Sequence, residues 1–222
     1  RPAHYYGLQR RTKRETTIKT AFYEYKFHKK MKKNGSEEKN KAIVLGGSAG
    51  SVVLLFNLFK KLSENFPYPL IIVVHRPNEP NSEMRSIFQS QCKLQIIEPK
   101  EKTAIENNKI YLAPAGVHLI VEEDFSLNID NSPLVQFSKP SIDVLFMTAA
   151  ETYKENLTGI LVTGTNRDGA MGTKTIRQLG GKTIVQDPKD AKLSRMPEAA
   201  LELTEVDHIL NTLEIINYLN NL

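Results

Sequence analysis

The sequence predicts an α/β fold: a doubly wound, mainly parallel sheet with helices on both faces and a small antiparallel hairpin. From residue 42 onward, apolar runs of strand length alternate with segments whose apolar residues recur at helical spacing. Strands that alternate with helices pair in parallel and are covered on both faces. Several of the runs end in short turns rich in glycine and polar residues, which collects those turns at one edge of the sheet.

Residues 1–41 stand apart from this pattern. They hold 13 Lys or Arg against four Glu, a net charge of +9, and the remaining residues carry −4, so the overall +5 belongs to this segment. It is expected to be a basic N-terminal tail or linker, with residues 42–222 forming a single domain whose core draws on a chain that is 40% hydrophobic. Lysines interleaved with Tyr5, Tyr6, Phe22, Tyr23, Tyr25 and Phe27 could contact phosphates through counterion release and stacking. The segment is instead read as a solvated linker or marginal helix ending at Asn34-Gly35-Ser36, with no nucleic-acid role.

Within the domain, Ala42-Ile43-Val44-Leu45 reads as a buried strand. Residues 52–62 follow as a helix with Val52, Leu55, Phe56, Phe59 and Leu62 on one face. Leu70-Ile71-Ile72-Val73-Val74 is a second strand, 82–91 a helix presenting Met84, Ile87 and Phe88, and 94–97 and 110–112 are short strands. Residues 118–121 and 125–129 make a hairpin about Glu122-Glu123-Asp124. Helices over 142–153 and 169–179 flank a strand over 157–163. Thr183-Ile184-Val185 is the last clear strand, followed by helices near 197–203 and 213–219.

Residues 42–59 include no charge and approach the length of a membrane span. Gly-Gly-Ser-Ala-Gly-Ser in their middle breaks the helix that a span requires, so no transmembrane segment is expected. The single Cys92 excludes an intramolecular disulfide and a cysteine-rich zinc site and suits a reducing compartment. No secretory apolar region opens the sequence. No H-E-x-x-H pattern occurs, and neither metal nor organic cofactor is expected.

Three turns carry chemistry. Gly46-Gly47-Ser48-Ala49-Gly50 places Ser48 between a strand and a helix with G-x-S-x-G spacing. Glycines there accept a sharp turn, and the helix start offers unpaired N–H groups to a developing oxyanion. A glycine-rich turn can also cradle phosphate, but G-x-G-x-x-G does not fit Gly46, Gly47 and Gly50 in any register, and G-x-x-x-x-G-K-[ST] is absent. His75, in Val73-Val74-His75-Arg76-Pro77, and Asp168, in Thr163-Gly164-Thr165-Asn166-Arg167-Asp168-Gly169, also follow strand ends. Ser48 as nucleophile, His75 as general base and Asp168 as the acid that orients the imidazole are the candidate catalytic residues. His118 remains a rival base, Asp143 and Asp187 rival acids, and Asp168 could serve only as a helix cap.

These segments, with others, resemble the catalytic domain of the CheB-type chemotaxis protein-glutamate methylesterases. The resemblance covers residues 42–210. It runs through Gly47-Ser48-Ala49-Gly50, His75-Arg76-Pro77 and Tyr111-Leu112-Ala113-Pro114-Ala115-Gly116-Val117-His118-Leu119, then Lys139-Pro140-Ser141-Ile142-Asp143-Val144-Leu145-Phe146. It continues with Thr163-Gly164, Asp168-Gly169-Ala170-Met171-Gly172, Gly180-Gly181-Lys182-Thr183-Ile184-Val185-Gln186-Asp187 and Met196-Pro197, all in the family's order.

The resemblance implies a cytoplasmic serine hydrolase of glutamyl γ-methyl esters on methylated chemoreceptor cytoplasmic helices, releasing methanol, with glutamine deamidation in some members. A separate response regulator or methyltransferase would be a further partner. It places nucleophile, base and acid on Ser48, His75 and Asp168, and makes His118 and Asp143 structural. The 41 residues before Ala42 are too few for the receiver domain of about 120 residues that some members carry.

Three departures from the family bear on rate. Ala49 stands where a threonine is usual, and Arg76, where a methionine is common, sets a cation beside the base. Thr165-Asn166 replaces Met-Gly in the turn whose N–H helps bind the oxyanion. Slower or redirected chemistry is expected. The alternatives are a non-catalytic receptor-docking or sensory adaptor module using the same cleft, and an esterase acting on another substrate.

Overall fold

The computed structural model describes residues 41–76 and 83–222. The tail assigned to residues 1–41 therefore lies outside the described residues except for Lys41, and Pro77 of the histidine turn lies outside them too.

Ten strands and six α-helices follow one another in the described chain. They are β1 Ala42–Gly47, α1 Ser51–Lys61, β2 Leu70–Val74, α2 Met84–Gln89, β3 Gln95–Ile97, β4 Thr103–Ala104, β5 Lys109–Leu112, β6 His118–Val121 and β7 Ser126–Asp130. After them come α3 Ile142–Tyr153, a 3₁₀ turn Lys154–Asn156, β8 Leu157–Leu161, α4 Ala170–Gln178, β9 Lys182–Gln186, α5 Arg195–Leu201, β10 His208–Leu210 and α6 Thr212–Asn220.

Seven strands form one sheet in the order β10-β9-β8-β1-β2-β5-β3, and every pairing in it is parallel. The sheet starts at β1, builds outward through β2 on one side, then crosses to β8 on the other. The β1–β8 junction is thus the switch point of the sheet, outside whose carboxyl edge α/β proteins place their sites.

The apolar runs sort by the two-residue period of a strand. Ile43 and Leu45 of β1, with Leu70, Ile72 and Val74 of β2, face the core made with α1, α2 and α6. Val44, Ile71 and Val73 face the opposite core, which takes in α3, α4, α5 and the small sheet. Burial on both faces is why these strands read as unbroken apolar runs.

Two elements were missed in the sequence. The small sheet has three strands, not two, because Thr103–Ala104 adds antiparallel to β7. The parallel sheet gains an edge strand, His208–Leu210, paired only to β9. Both are short and largely exposed, so neither carries the apolar alternation that marks a strand.

Helices α3 and α4 pack closely because Gly172 has no side chain at their contact. A Cβ there would lie 2.4 Å from Phe146 Cβ and 3.3 Å from Asp143 Cα. Overpacking of this kind costs about 1–3 kcal/mol. Gly172→Ala is expected to lower the free energy of unfolding by that amount, read as a lower urea midpoint at unchanged slope; an unaltered midpoint would show that the helices separate freely.

Candidate active site

The turn after β1 is held at three points. Ser48 N–H donates to Thr163 O at 2.9 Å, His75 N–H donates to Gly47 O at 3.1 Å, and Ser51 Oγ donates to Ser48 O at 2.6 Å. Thr163 Oγ1 also donates to Ala49 O at 3.1 Å. These bonds bring the ends of β1, β2 and β8 together. Gly50 caps α1 at φ 89°, a left-handed conformation that glycine adopts at least cost. Ser48 is buried but for 9% of its surface.

His75 Nε2 lies 2.7 Å from Asp168 Oδ2, although 93 positions separate the two residues. Asp168 is fully buried and its carboxylate accepts on both oxygens. Oδ1 takes the Ser141 hydroxyl at 2.8 Å and the Asp143 N–H at 2.9 Å, and Oδ2 takes the Ile142 N–H at 2.7 Å as well as the imidazole. An acceptor surrounded by donors requires His75 to carry its proton on Nε2, which leaves Nδ1 as the basic nitrogen.

A sequence model of the family described as CheB methylesterase matches residues 43–219. The chain belongs to this family. A Leptospira interrogans protein named for protein-glutamate methylesterase and protein-glutamine glutaminase activity is 40% identical over 170 residues, spanning 77% of this chain and 88% of that protein. A Trichodesmium erythraeum protein with the same two activities in its name is 30% identical over 171 residues, 76% of this chain but 49% of its own length. The chain thus spans about half the length of such longer relatives. The crystal structure of the Thermotoga maritima CheB methylesterase catalytic domain superposes with a TM-score of 0.77 at 25% identity, covering 82% of this chain and 98% of that one. The doubly wound α/β expectation and the family resemblance are both borne out.

In this CheB methylesterase domain, Asp168 and Asp143 exchange caps. Asp168, just before α4, receives the first N–H groups of α3, while Asp143, in the first turn of α3, receives the N–H groups of Gly169 (2.9 Å) and Gly172 (2.7 Å) at the start of α4. Each carboxylate satisfies donors that the other helix leaves open. Gln136 Nε2 donates to Asp143 Oδ2 at 2.5 Å.

Burial, and then the negative Asp168 beside it, push the Asp143 carboxyl well above the ordinary carboxylate range. An acid whose folded value is raised contributes its stability below the unfolded value and loses it as pH rises through the folded one. The stability advantage of wild type over Asp143→Asn, taken from urea unfolding across pH, is expected to shrink as pH rises. An advantage that grows with pH contradicts this assignment.

The rivals occupy other positions. His118 is fully buried; its Nδ1 accepts the Ser141 N–H at 3.1 Å and its Nε2 donates to Pro133 O at 3.1 Å. Burial lowers its pKa, so it stays neutral and orients the segment that grips Asp168. Asp187 accepts the Lys189 N–H at 2.9 Å in the turn after β9.

Arg76 does not present a bare cation to the imidazole. Its guanidinium donates to Glu98 Oε1 at 2.6 Å and to Ala113 O at 2.8 Å, so its charge is neutralised while it ties together the ends of β2, β3 and β5. Thr165 is exposed, and its N–H, like that of Ala49, makes no hydrogen bond among the described residues. Asn166 Oδ1 accepts the Asp168 N–H at 3.2 Å, which shapes the turn without a glycine.

Ser141, Ser51 and Gln186 were not singled out in the sequence. Ser141 caps α3 and donates to Asp168, and a serine opening an apolar periodic segment is the signal for such a cap. Gln186 Oε1 accepts the Thr163 N–H at 2.9 Å across the sheet, a pairing with no local signature. Among the described residues, no group of His, Cys, Asp and Glu could hold a metal, and no helix is long and apolar enough to cross a membrane.

Proposed function

We propose that this chain is a serine-type protein-glutamate methylesterase that hydrolyses glutamyl γ-methyl esters of chemoreceptors, releasing methanol, and that it also deamidates glutamines. The observation that carries the reading is the His75–Asp168 hydrogen bond, set at the same sheet edge as Ser48 in a member of the CheB methylesterase family. The names of its relatives support both activities.

His75 Nδ1 accepts the Ser48 proton as Oγ attacks the γ-carbonyl carbon, and Asp168 stabilises the imidazolium through Nε2–H. The carbonyl oxygen becomes an oxyanion, met by the N–H groups of Ala49 and Thr165, which have no acceptor among the described residues. Collapse expels methoxide, which takes the proton back from His75 and leaves as methanol. Water, deprotonated by His75, then hydrolyses the acyl-serine to glutamate and free Ser48. A glutamine side chain follows the same path with ammonia as leaving group.

Backbone donors survive the side-chain changes at Ala49 and Thr165. The docking-module alternative drew on Arg76, and that cation is already engaged by Glu98. Methanol release from a methyl-esterified chemoreceptor cytoplasmic fragment, and ammonia release from the same fragment with glutamine at the modified positions, test the two activities. Neither product above the uncatalysed rate would refute the proposal.

A further inference from the structure

Two segments that the chemistry does not use border the candidate catalytic residues. In the segment leading into α3, Val135 N–H donates to Ser138 O at 3.2 Å and Ser138 N–H to Val135 O at 2.9 Å, closing a two-residue hairpin. Gln136 and Phe137 at its tip have φ of 48° and 64°. Turns of this kind favour Asn and Gly, because side chains crowd the backbone at positive φ. Phe137 is nonetheless kept there and is 89% exposed, with Leu134 at 62%, so neither serves the core.

The hairpin is fastened to the site. Gln136 donates to Asp143, and Asn166, two residues before Asp168, donates from Nδ2 to Ser138 Oγ at 3.2 Å.

Beside Ser48, the segment linking β9 to α5 packs on the nucleophile turn. Leu193 N–H donates to Thr163 Oγ1 at 2.9 Å, and Leu193 O accepts the Gly164 N–H at 3.0 Å. The Lys192 side chain lies against Gly50, with Cβ 2.9 Å from where a Gly50 Cβ would be. Lys192 and Lys189 are exposed, and neither is in an ion pair among the described residues.

We propose that these two rims form one docking surface for an acidic, amphipathic segment of the substrate protein, with Phe137 and Leu134 taking its apolar residues and Lys192 and Lys189 its carboxylates. The proposal rests on the methylesterase reading. Each turnover of that reaction converts a neutral ester into a glutamate carboxylate, so a substrate with several modified positions presents anions next to the reacting group. Unpaired lysines on the nucleophile side complement that charge. An exposed aromatic side chain on a hydrogen-bonded turn supplies contact area at low entropic cost.

Phe137→Gly is the informative variant, because glycine suits the turn and only the side chain is lost. Affinity is measured as Kd by fluorescence anisotropy with a labelled, methyl-esterified receptor cytoplasmic fragment. Hydrolysis of p-nitrophenyl acetate reports the catalytic residues separately. Phe137→Gly is expected to raise Kd about tenfold or more, the loss typical of an interface anchor, with small-ester turnover unchanged. Lys192→Glu is expected to raise Kd and to weaken its salt dependence.

Binding by either variant within twofold of wild type overturns the proposal, as does a wild-type protein that fails to bind the fragment. A parallel fall in small-ester turnover for Phe137→Gly also overturns it, since the hairpin would then act through the catalytic residues. Binding that depends on Phe137 without methanol release leaves the docking surface standing and removes the methylesterase reading.

Discussion

Replacing Ser48 by Ala, or His75 by Ala, is expected to lower methanol release on the order of a millionfold, leaving only the residual rate that substrate binding and the oxyanion donors supply. The size follows from how the two groups act. Without the hydroxyl there is no acyl intermediate, and without the imidazole the hydroxyl has no base to take its proton and no acid to return it to methoxide. Each loss removes the same step, so the double variant is expected to be no slower than either single one.

Stability provides the control. No side-chain hydrogen bond of Ser48 holds the turn among the described residues; its backbone does, through Thr163 and Ser51. Ser48→Ala should therefore unfold at the urea midpoint of wild type. A residual rate within about a hundredfold of wild type in either variant would exclude the Ser48–His75 mechanism. A folded, inactive pair of variants would support it.

Asp168→Asn is expected to lower kcat about 10⁴-fold with little change in KM, by disturbing the imidazole tautomer. The carboxylate accepts four hydrogen bonds, two on each oxygen. An amide offers one oxygen and one NH₂ group. If the oxygen stays with Ser141 and Asp143, the NH₂ faces the Ile142 N–H and the proton on His75 Nε2. The imidazole then moves that proton to Nδ1, the nitrogen required as base.

The same substitution leaves the buried Ile142 N–H without its acceptor, which costs about 1–3 kcal/mol. Kinetics and urea unfolding on one preparation separate the two effects. An activity loss no larger than tenfold would show that Asp168 caps α3 without orienting the base.

Ser48, His75 and Asp168 could be put forward together from the sequence because each lies in a turn that follows an apolar run, and runs of that length in an α/β chain end at a common edge. Their rivals were equally legible and could not be dismissed by pattern. His118 and Asp143 lie beside periodic elements too. They are separated from the candidate triad by directions: His118 is turned to Pro133 O and the Ser141 N–H, and Asp143 to the start of α4. Arg76 shows the same limit. Its place next to His75 is in the sequence, whereas its neutralisation by Glu98 depends on how the ends of β2 and β3 are spaced across β5.

By itself, the sequence determined the types of the buried, periodic elements, the parallel layering and the turns at the strand ends, because period-two and period-3.6 burial are local properties written in neighbouring residues. The tertiary structure alone decided that β8 lies against β1, so that Thr163 accepts from Ser48 and Asp168 reaches His75. It also decided that α3 and α4 share their capping carboxylates and that the turn carrying exposed Phe137 is tied to Asp143 and Asn166. Those outcomes depend on register and packing between residues far apart in the chain, which no local period records.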